Sequence, residues 1–294
     1  MATSSLPDID KAWNFRDPAA SETSFRELIR EGEQAGDTAW TLEAKTQLAR
    51  SLGLQQRFDE AHDVLDGVEA ELSDDEPRLR ARFLLERGRV LNSSGHAEDA
   101  IAPFERALEA ANLAGDEYLA VDAAHMLGIV ESPDVAIRWH ERAIAMAEAA
   151  SDPAARRWLG PLYNNLAWTY NDRGEHEKAL ILFERDIAFR EAQSQRFEAS
   201  IATWSRAVTL RYLGRAEEAL AVQQSLVDHP DRQGNAAEGY THEEIGECLL
   251  LLGRDAEAKP HFAIAHERLG DDEWIQANEP ARLARLKQLA ESSP

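Results

Sequence analysis

An alanine recurs about every 40 residues along this chain, and this recurrence limits the fold more than any other feature of the sequence. The six positions are Ala61, Ala100, Ala136, Ala179, Ala219 and Ala258, and they are separated by 39, 36, 43, 40 and 39 residues. A period of this length is typical of chains built from stacked supersecondary units, each of which covers the apolar face of the next. The 294 residues therefore predict one continuous stack rather than two separate cores.

A glycine lies five residues before four of the six alanines, at Gly95, Gly174, Gly214 and Gly253. Glycine adopts a left-handed backbone conformation without the steric cost that other residues meet, so it favours a tight turn at these positions. Acidic residues follow each glycine, in GHAEDA, GEHEKA, GRAEEA and GRDAEA. Their negative charge complements the free N–H groups at a helix N-terminus. Each unit is therefore predicted to be two helices joined by a short turn.

The stretch LYNNLAWTYNDRGEHEKALILFE, residues 162–184, is the clearest copy of the unit. The seventh, eighth, eleventh, fifteenth, twentieth and twenty-fourth places of the unit hold Leu166, Ala167, Tyr170, Gly174, Ala179 and Phe183. This spacing resembles the tetratricopeptide repeat (TPR) family, of the bacterial type. Small residues at the eighth and twentieth places let two helices approach closely, and the aromatic residue fills the remaining gap. The resemblance implies an all-α fold, a right-handed α-solenoid of about six TPR-like helical hairpins with N- and C-terminal capping helices.

The predicted organisation is a flexible N-terminal arm at 1–18, with Trp13 as its candidate anchor, followed by a single TPR-like solenoid domain at 19–294. A helix that opens near Ser21 and ends near Gly36 caps the first repeat. Repeat one has Gln56 in place of the turn glycine, and repeat three is shorter by about one helical turn. The repeats are predicted at roughly 38–75, 77–115, 117–151, 153–194, 196–230 and 234–270, with a cap at 271–294.

The charge balance and the termini limit the partners and the compartment. Lys and Arg number 32 and Asp and Glu number 54, which gives a net charge of −22. Such a charge repels phosphate backbones and anionic lipids, so no nucleic-acid partner and no membrane partner is expected. The lone cysteine, Cys248, cannot form an intrachain disulfide. The N-terminus lacks the pattern of a secretory signal, and a cytoplasmic protein is expected.

In the TPR family, the second, fifth, ninth and twelfth places of the first helices line a concave groove. Carried over to this chain, the resemblance implies a groove with arginines toward its N-terminal half and with aromatic residues and carboxylates toward its C-terminal half. The implied partner is a protein or peptide segment, while the oligomeric state stays open. The candidate binding residues are Arg50, Arg82, Arg89, His125, Asn164, Trp168, Asn171, Trp204, Arg211, Tyr240, Glu243 and Glu247.

Two interpretations of these side chains remain open. Trp168, Trp204 and Tyr240 are spaced by 36 residues, so that neighbouring first helices present large rings along one track. These rings either meet a partner or pack between adjacent helices. The arginines either pair with nearby carboxylates or hold a ligand anion. Asn164, beside Asn165, bonds the backbone of an extended peptide or caps the Gly160-Pro161 turn.

A catalytic function finds no motif to support it, because the sequence lacks HExxH, a CxxC pair, a glycine-rich phosphate loop and GxSxG. We therefore predict no catalytic residue, no metal and no cofactor, and favour an adaptor or sensor that binds a peptide in its groove. The alternative is a small-molecule- or metal-dependent enzyme, or a ligand sensor, with its site in the solenoid hollow. That site would use His125, Trp168, Arg211, Glu243 and Glu247.

Overall fold

The computed structural model describes residues 7–73, 75–230, 232–234 and 236–291. Within these ranges the regular structure is helical and contains no strand. The chain divides into two compact units, Met1–Trp158 (unit 1) and Leu159–Pro294 (unit 2). Among the helices of the described ranges, none has the length and apolar character required to cross a bilayer.

The described part of unit 1 contains a short 3-10 helix, a capping helix, three helical hairpins and one further short helix, α8. The capping helix α1 packs against α2, and the hairpins are α2–α3, α4–α5 and α6–α7. The elements are the 3-10 helix Ile9–Ala12, α1 (Pro18–Ala35), α2 (Thr38–Leu54), α3 (Phe58–Glu71), α4 (Pro77–Ser93), α5 (Ala97–Ala114), α6 (Glu117–Val130), α7 (Pro133–Ala149) and α8 (Pro153–Arg156).

Unit 2 contains three further hairpins and two shorter helices at its C-terminal end. The hairpins are α9–α10, α11–α12 and α13–α14, and the last helix, α16, packs against α14. The elements are α9 (Leu159–Asp172), α10 (His176–Ala192), α11 (Arg196–Tyr212), α12 (Ala216–Val227), α13 (Ala236–Leu251), α14 (Asp255–Gly270), α15 (Glu273–Asn278) and α16 (Pro280–Glu291).

The turns inside the hairpins follow the glycine pattern of the sequence. Gly95, Gly174, Gly214 and Gly253 have φ angles between 68° and 89°, in the left-handed region. Gln56 has a φ of 60° at the equivalent turn of the first hairpin. At this turn Gln56 therefore adopts a left-handed conformation, which costs free energy for every residue except glycine.

The helix crossings follow the small-residue pattern. All six recurring alanines are at most 7% exposed. A Cβ atom on Gly88 would lie 2.5 Å from the Phe104 ring, and a Cβ on Gly246 would lie 2.7 Å from the Phe262 ring. The eighth place of a first helix thus faces the aromatic place of the second helix. The all-α fold, a solenoid of TPR-like helical hairpins with capping helices, is confirmed.

Candidate binding surfaces

The predicted groove residues divide between the two units. The first helices of the hairpins are α2, α4 and α6 in unit 1, and α9, α11 and α13 in unit 2. We call the surface that each set presents the first-helix surface of its unit. Unit 1 carries Arg50, Arg82, Arg89 and His125, and unit 2 carries the other candidates.

A buried charge network joins the three first helices of unit 1. Glu86 of α4 is fully buried, accepts a hydrogen bond from Arg89 at 2.8 Å, and lies 3.8 Å from the Arg50 guanidinium. Arg89 also donates to Asp122 of α6. Burial would raise the pKa of Asp122, but the positive charges of Arg89 and Arg50 hold it below its ordinary value. Asp122 is therefore ionised, and Arg89 is engaged within the protein.

Arg82 also lies in this part of the surface, and it is only 4% exposed. Its guanidinium donates to Glu43 at 3.3 Å and to both carboxylate oxygens of Asp10 at 3.4 Å. Asp10 belongs to the stretch that precedes α1. Arg82 thus connects two first helices to residues near the N-terminus.

Residues 8–15, which we call the N-terminal segment, lie against the first-helix surface of unit 1. Trp13 donates from Nε1 to the Gln47 side-chain oxygen at 3.0 Å. Its ring stacks on Phe15 with centroids 4.6 Å apart, and the Arg50 guanidinium lies 5.3 Å from each ring. Sequence reasoning did not predict that this segment meets the candidate groove residues. The available signal was two aromatic residues within a stretch that is otherwise polar.

His125 is packed in the interior of unit 1. Its ring lies 4.9 Å from the Trp158 ring and 6.2 Å from the His140 ring, measured between centroids. Burial lowers the pKa of His125 to about 4. The imidazole is consequently neutral at physiological pH.

A small pocket of about 170 Å³ adjoins the network of unit 1. Arg50, Arg89 and Asn92 provide polar groups in its lining, and Leu54 and Met126 provide apolar ones. Since Arg50 also contacts Trp13, the pocket and the N-terminal segment share one side chain.

The three predicted rings of unit 2 form a continuous row, which we call the ring row. The centroids of Trp168 and Trp204 are 6.1 Å apart, and those of Trp204 and Tyr240 are 6.0 Å apart. Trp204 donates from Nε1 to the Tyr240 backbone carbonyl at 3.2 Å. All three residues are half-buried. The rings therefore pack between first helices and also keep part of their surface accessible.

The charged candidates of unit 2 pair with other side chains of the unit. Arg211 donates through both nitrogens of its fork to Glu244, at 2.7 and 2.9 Å. Glu243 accepts from Arg282 of α16 at 2.6 Å, and Glu247 lies 2.6 Å from Arg285. These arrangements are ion pairs between successive helices, so the side chains contribute to the packing of the stack.

The spacing of these pairs repeats between the units. Glu43 and Arg82 are 39 residues apart, as are Glu243 and Arg282. Arg89–Asp122 and Arg211–Glu244 both span 33 residues. Sequence reasoning missed the partners Asp122, Glu244 and Arg282. Opposite charges at these two recurring spacings were the signal that could have found them.

The two predicted asparagines differ in their surroundings. Asn171 is buried, donates to the Thr209 hydroxyl at 2.8 Å, and shares a hydrogen bond of 3.0 Å with His176. Asn164 is half-buried, and its amide donates to Asn165 at 3.4 Å. Asn164 is therefore better placed than Asn171 to reach a partner.

Among the residues of the alternative enzyme site, His125 packs against rings within unit 1, and Arg211 and Glu243 are ion-paired within unit 2. Among the described residues, no group of three or more His, Cys, Asp or Glu side chains is arranged to hold a metal ion. Burial raises the pKa of Cys248 to about 12, which keeps this thiol protonated at neutral pH.

Comparisons with known proteins agree with this architecture. The tetratricopeptide repeat family model matches residues 162–192, the stretch that carries the clearest copy of the unit. No match was found among the curated proteins. Many solved structures share the fold.

The apo form of RapI has a TM-score of 0.75 at 12% identity, over 97% of this chain and 82% of its own. The apo form of the quorum sensor NprR from B. thuringiensis has a TM-score of 0.67 at 17% identity, over 96% and 79%. NprR in complex with its cognate peptide NprX has a TM-score of 0.54 at 15% identity, over 97% and 84%. The family match covers one hairpin of the chain, and the solved structures share its fold of stacked helical hairpins; in both respects the chain is similar to tetratricopeptide repeat proteins.

Proposed function

We propose that this protein binds a protein or peptide segment on its first-helix surfaces and acts as an adaptor or sensor. The observation that carries the proposal is the ring row of Trp168, Trp204 and Tyr240. Three large rings held in contact and partly exposed present a preorganised apolar surface. Aromatic anchors of this kind dominate the binding free energy of many protein interfaces.

The neighbouring groups favour a peptide over a small charged ligand. Arg211, Glu243 and Glu247 are already ion-paired, so they are not free to hold a ligand charge. Asn164 can accept and donate hydrogen bonds to the backbone of an extended chain. We infer that aromatic burial supplies most of the affinity and that Asn164 helps to orient the bound segment.

The fold itself is compatible with this function. NprR, which has the same fold, has been solved in complex with its cognate peptide NprX. The net charge of −22 further supports a partner other than nucleic acid or anionic membrane, and we infer a cytoplasmic setting.

The proposal is tested by selecting binders from a displayed library of random 12-residue peptides with the full chain. The affinity of one selected peptide is then measured for the wild type, Trp204→Ala and Trp274→Ala. Trp274 is a matched control, because it is 62% exposed and lies on α15, outside the ring row. Truncating a hot-spot residue costs about 2 kcal/mol or more, so Trp204→Ala should weaken binding by roughly 30-fold.

Trp274→Ala should bind like the wild type. Equal affinity of a folded Trp204→Ala variant and the wild type would exclude the ring row as the binding surface. If the selection yields no peptide that binds the first-helix surfaces, the result would argue against the function itself.

A further inference from the structure

The N-terminal segment shows which chemistry the first-helix surface of unit 1 accepts. It presents a carboxylate from Asp10 and two rings from Trp13 and Phe15 to the side chains of α2 and α4. We propose that this surface is a peptide seat occupied in cis by residues 8–15. Its partner in trans is a peptide with an acidic residue followed, three and five positions later, by two aromatic residues. This inference rests on the proposed function in treating the first-helix surfaces as binding surfaces.

The acidic position is defined by Arg82. Its guanidinium is almost fully buried, yet it reaches Asp10 only at 3.4 Å, which is long for a charge-assisted hydrogen bond. The Arg82 Nε atom has no hydrogen-bond partner among the described residues. A carboxylate that approaches more closely than Asp10 would form shorter bonds with the same guanidinium. The seat can therefore hold a partner at least as well as it holds the segment.

The aromatic positions are defined by Arg50 and Gln47. The Arg50 guanidinium lies over both rings of the segment, a cation–π arrangement that accepts either a Trp or another aromatic ring. Gln47 accepts from the indole N–H of Trp13 and donates to the buried Glu86 at 3.3 Å. An indole at the first aromatic position thus completes a path of hydrogen bonds that runs through Gln47 to Glu86. This geometry favours Trp there.

Part of the segment is exposed to solvent, as exchange with a partner requires. The Asp10 side chain is 58% exposed, and Phe15 is 60% exposed. The segment also returns directly into α1, because Asn14 pairs with Ser21 and Asp17 caps that helix. A partner competes with a tethered segment, so its apparent affinity is its intrinsic affinity multiplied by the fraction of seats that the segment leaves free. The N-terminal segment would therefore regulate access to the seat.

A purely structural role makes different predictions. Ile9 is buried, and Trp13 meets the core residue Phe25 edge-on at 4.8 Å. If the segment were only a fixed part of the core, removing its exposed contacts would open no binding site. The test therefore follows the binding of a trans peptide rather than stability alone.

The probe is a fluorescent peptide with the sequence of residues 7–17, PDIDKAWNFRD, and its binding to the full chain is followed by anisotropy. The release variant Asp10→Ala/Phe15→Ala removes two exposed contacts, and a second release variant adds Trp13→Ala. Lys11→Ala is the matched control, because Lys11 lies in the same segment with its side chain 84% exposed. We expect each release variant to bind the probe at least about 10-fold more tightly than the wild type or Lys11→Ala.

Adding Arg50→Gln to a release variant should reverse most of this gain, while a scrambled probe should not bind. Folded release variants that bind the probe no better than the wild type would overturn the inference, as would variants that all unfold. If Trp204→Ala removes the gain and Arg50→Gln does not, the probe binds the ring row of unit 2. That result would contradict the seat in unit 1 and still support the proposed function.

Discussion

The first-helix surfaces of unit 1 and unit 2 are built on the same helical framework but differ in the groups that cover them. In unit 1, the surface is a charge network around Glu86 and Asp122, and the chain's own N-terminal segment lies against it. In unit 2, the charges pair between helices, and the ring row keeps part of its surface accessible.

This contrast shows what a repeat framework leaves free. Small residues occur at the crossings in both units; at Gly88 and Gly246 an aromatic ring of the second helix lies too close for a Cβ atom. The first-helix positions have no such requirement. Both units use some of these positions for ion pairs, which need partners, and unit 2 uses others for rings, which tolerate partial exposure.

The largest expected effect comes from breaking the network of unit 1. Asp122→Ala removes a buried carboxylate and leaves part of the Arg89 charge without its partner. Removing one member of a buried ion pair costs about 3–5 kcal/mol, so the free energy of unfolding should fall by that amount. The measurement is denaturant unfolding followed by circular dichroism.

The matched control in unit 2 is Glu218→Ala, which removes an exposed partner of Arg215. No measurable change is expected for this variant, since exposed ion pairs contribute little. A comparable loss for both variants would mean that the network of unit 1 is not special.

The second effect is an opposite response to acid of two buried groups, one in each unit. Burial lowers the pKa of His125 in unit 1 to about 4, from an unfolded value near 6.5. Between these values the unfolded state binds the proton more tightly, so unit 1 loses stability as the pH falls from 6.5 to 4. In unit 2, burial raises the pKa of Asp186 to about 6, although Arg190 donates to it at 2.9 Å. The folded state then binds this proton more tightly, so Asp186 adds stability to unit 2 as the pH falls from 6 to 4.

Each contribution is on the order of 3 kcal/mol over its range, from about 1.4 kcal/mol per pKa unit. Unfolding is measured between pH 4 and pH 6.5 for the wild type, His125→Asn and Asp186→Asn, with hydrogen exchange to separate the units. His125→Asn should flatten the loss in unit 1, and Asp186→Asn should flatten the gain in unit 2. Unchanged slopes in both variants would exclude these two groups as the cause.

A substitution in the ring row should have a smaller effect on stability. Its main effect should be on binding. The ring of Trp204 is only half-buried, so Trp204→Ala should reduce the free energy of unfolding by about 1–2 kcal/mol, below the 3–5 kcal/mol of a fully buried Trp. Thermal and denaturant unfolding of this variant, compared with Asp122→Ala, check the order. If Trp204→Ala destabilises the protein as much as Asp122→Ala does, the rings serve mainly to pack the core.

The smallest effect concerns the turns. Gln56 holds a left-handed conformation in the first hairpin, and Gly174 holds it in the fourth. Gln56→Gly should stabilise the protein by about 1 kcal/mol, and Gly174→Gln should destabilise it by about the same amount. Equilibrium unfolding of the two variants measures both values. Shifts of the same sign would show that the surrounding contacts, not the backbone conformation, decide the outcome at these turns.

The features that could be predicted from the sequence are those that repeat or act locally. Gly174, Ala179 and Phe183 each have a role fixed by neighbours within one hairpin, and their spacing indicates it. The N-terminal segment could not be predicted in the same way, because Trp13 meets Gln47 over 34 residues without any repeat to indicate the contact. The roles of Arg211 and Glu243 could not be predicted either, because the sequence does not show which oppositely charged side chains of neighbouring helices lie beside them. Only the three-dimensional arrangement decides between an ion pair and a ligand contact.

The central claim is that the ring row of unit 2 is a binding surface for a peptide segment. It is tested most directly by photo-crosslinking a selected peptide that carries benzoylphenylalanine and then mapping the crosslinked residues by mass spectrometry. Crosslinks are expected to the first helices α9, α11 and α13, near Trp168, Trp204 and Tyr240. Crosslinks confined to the second helices α10, α12 and α14 would contradict the claim.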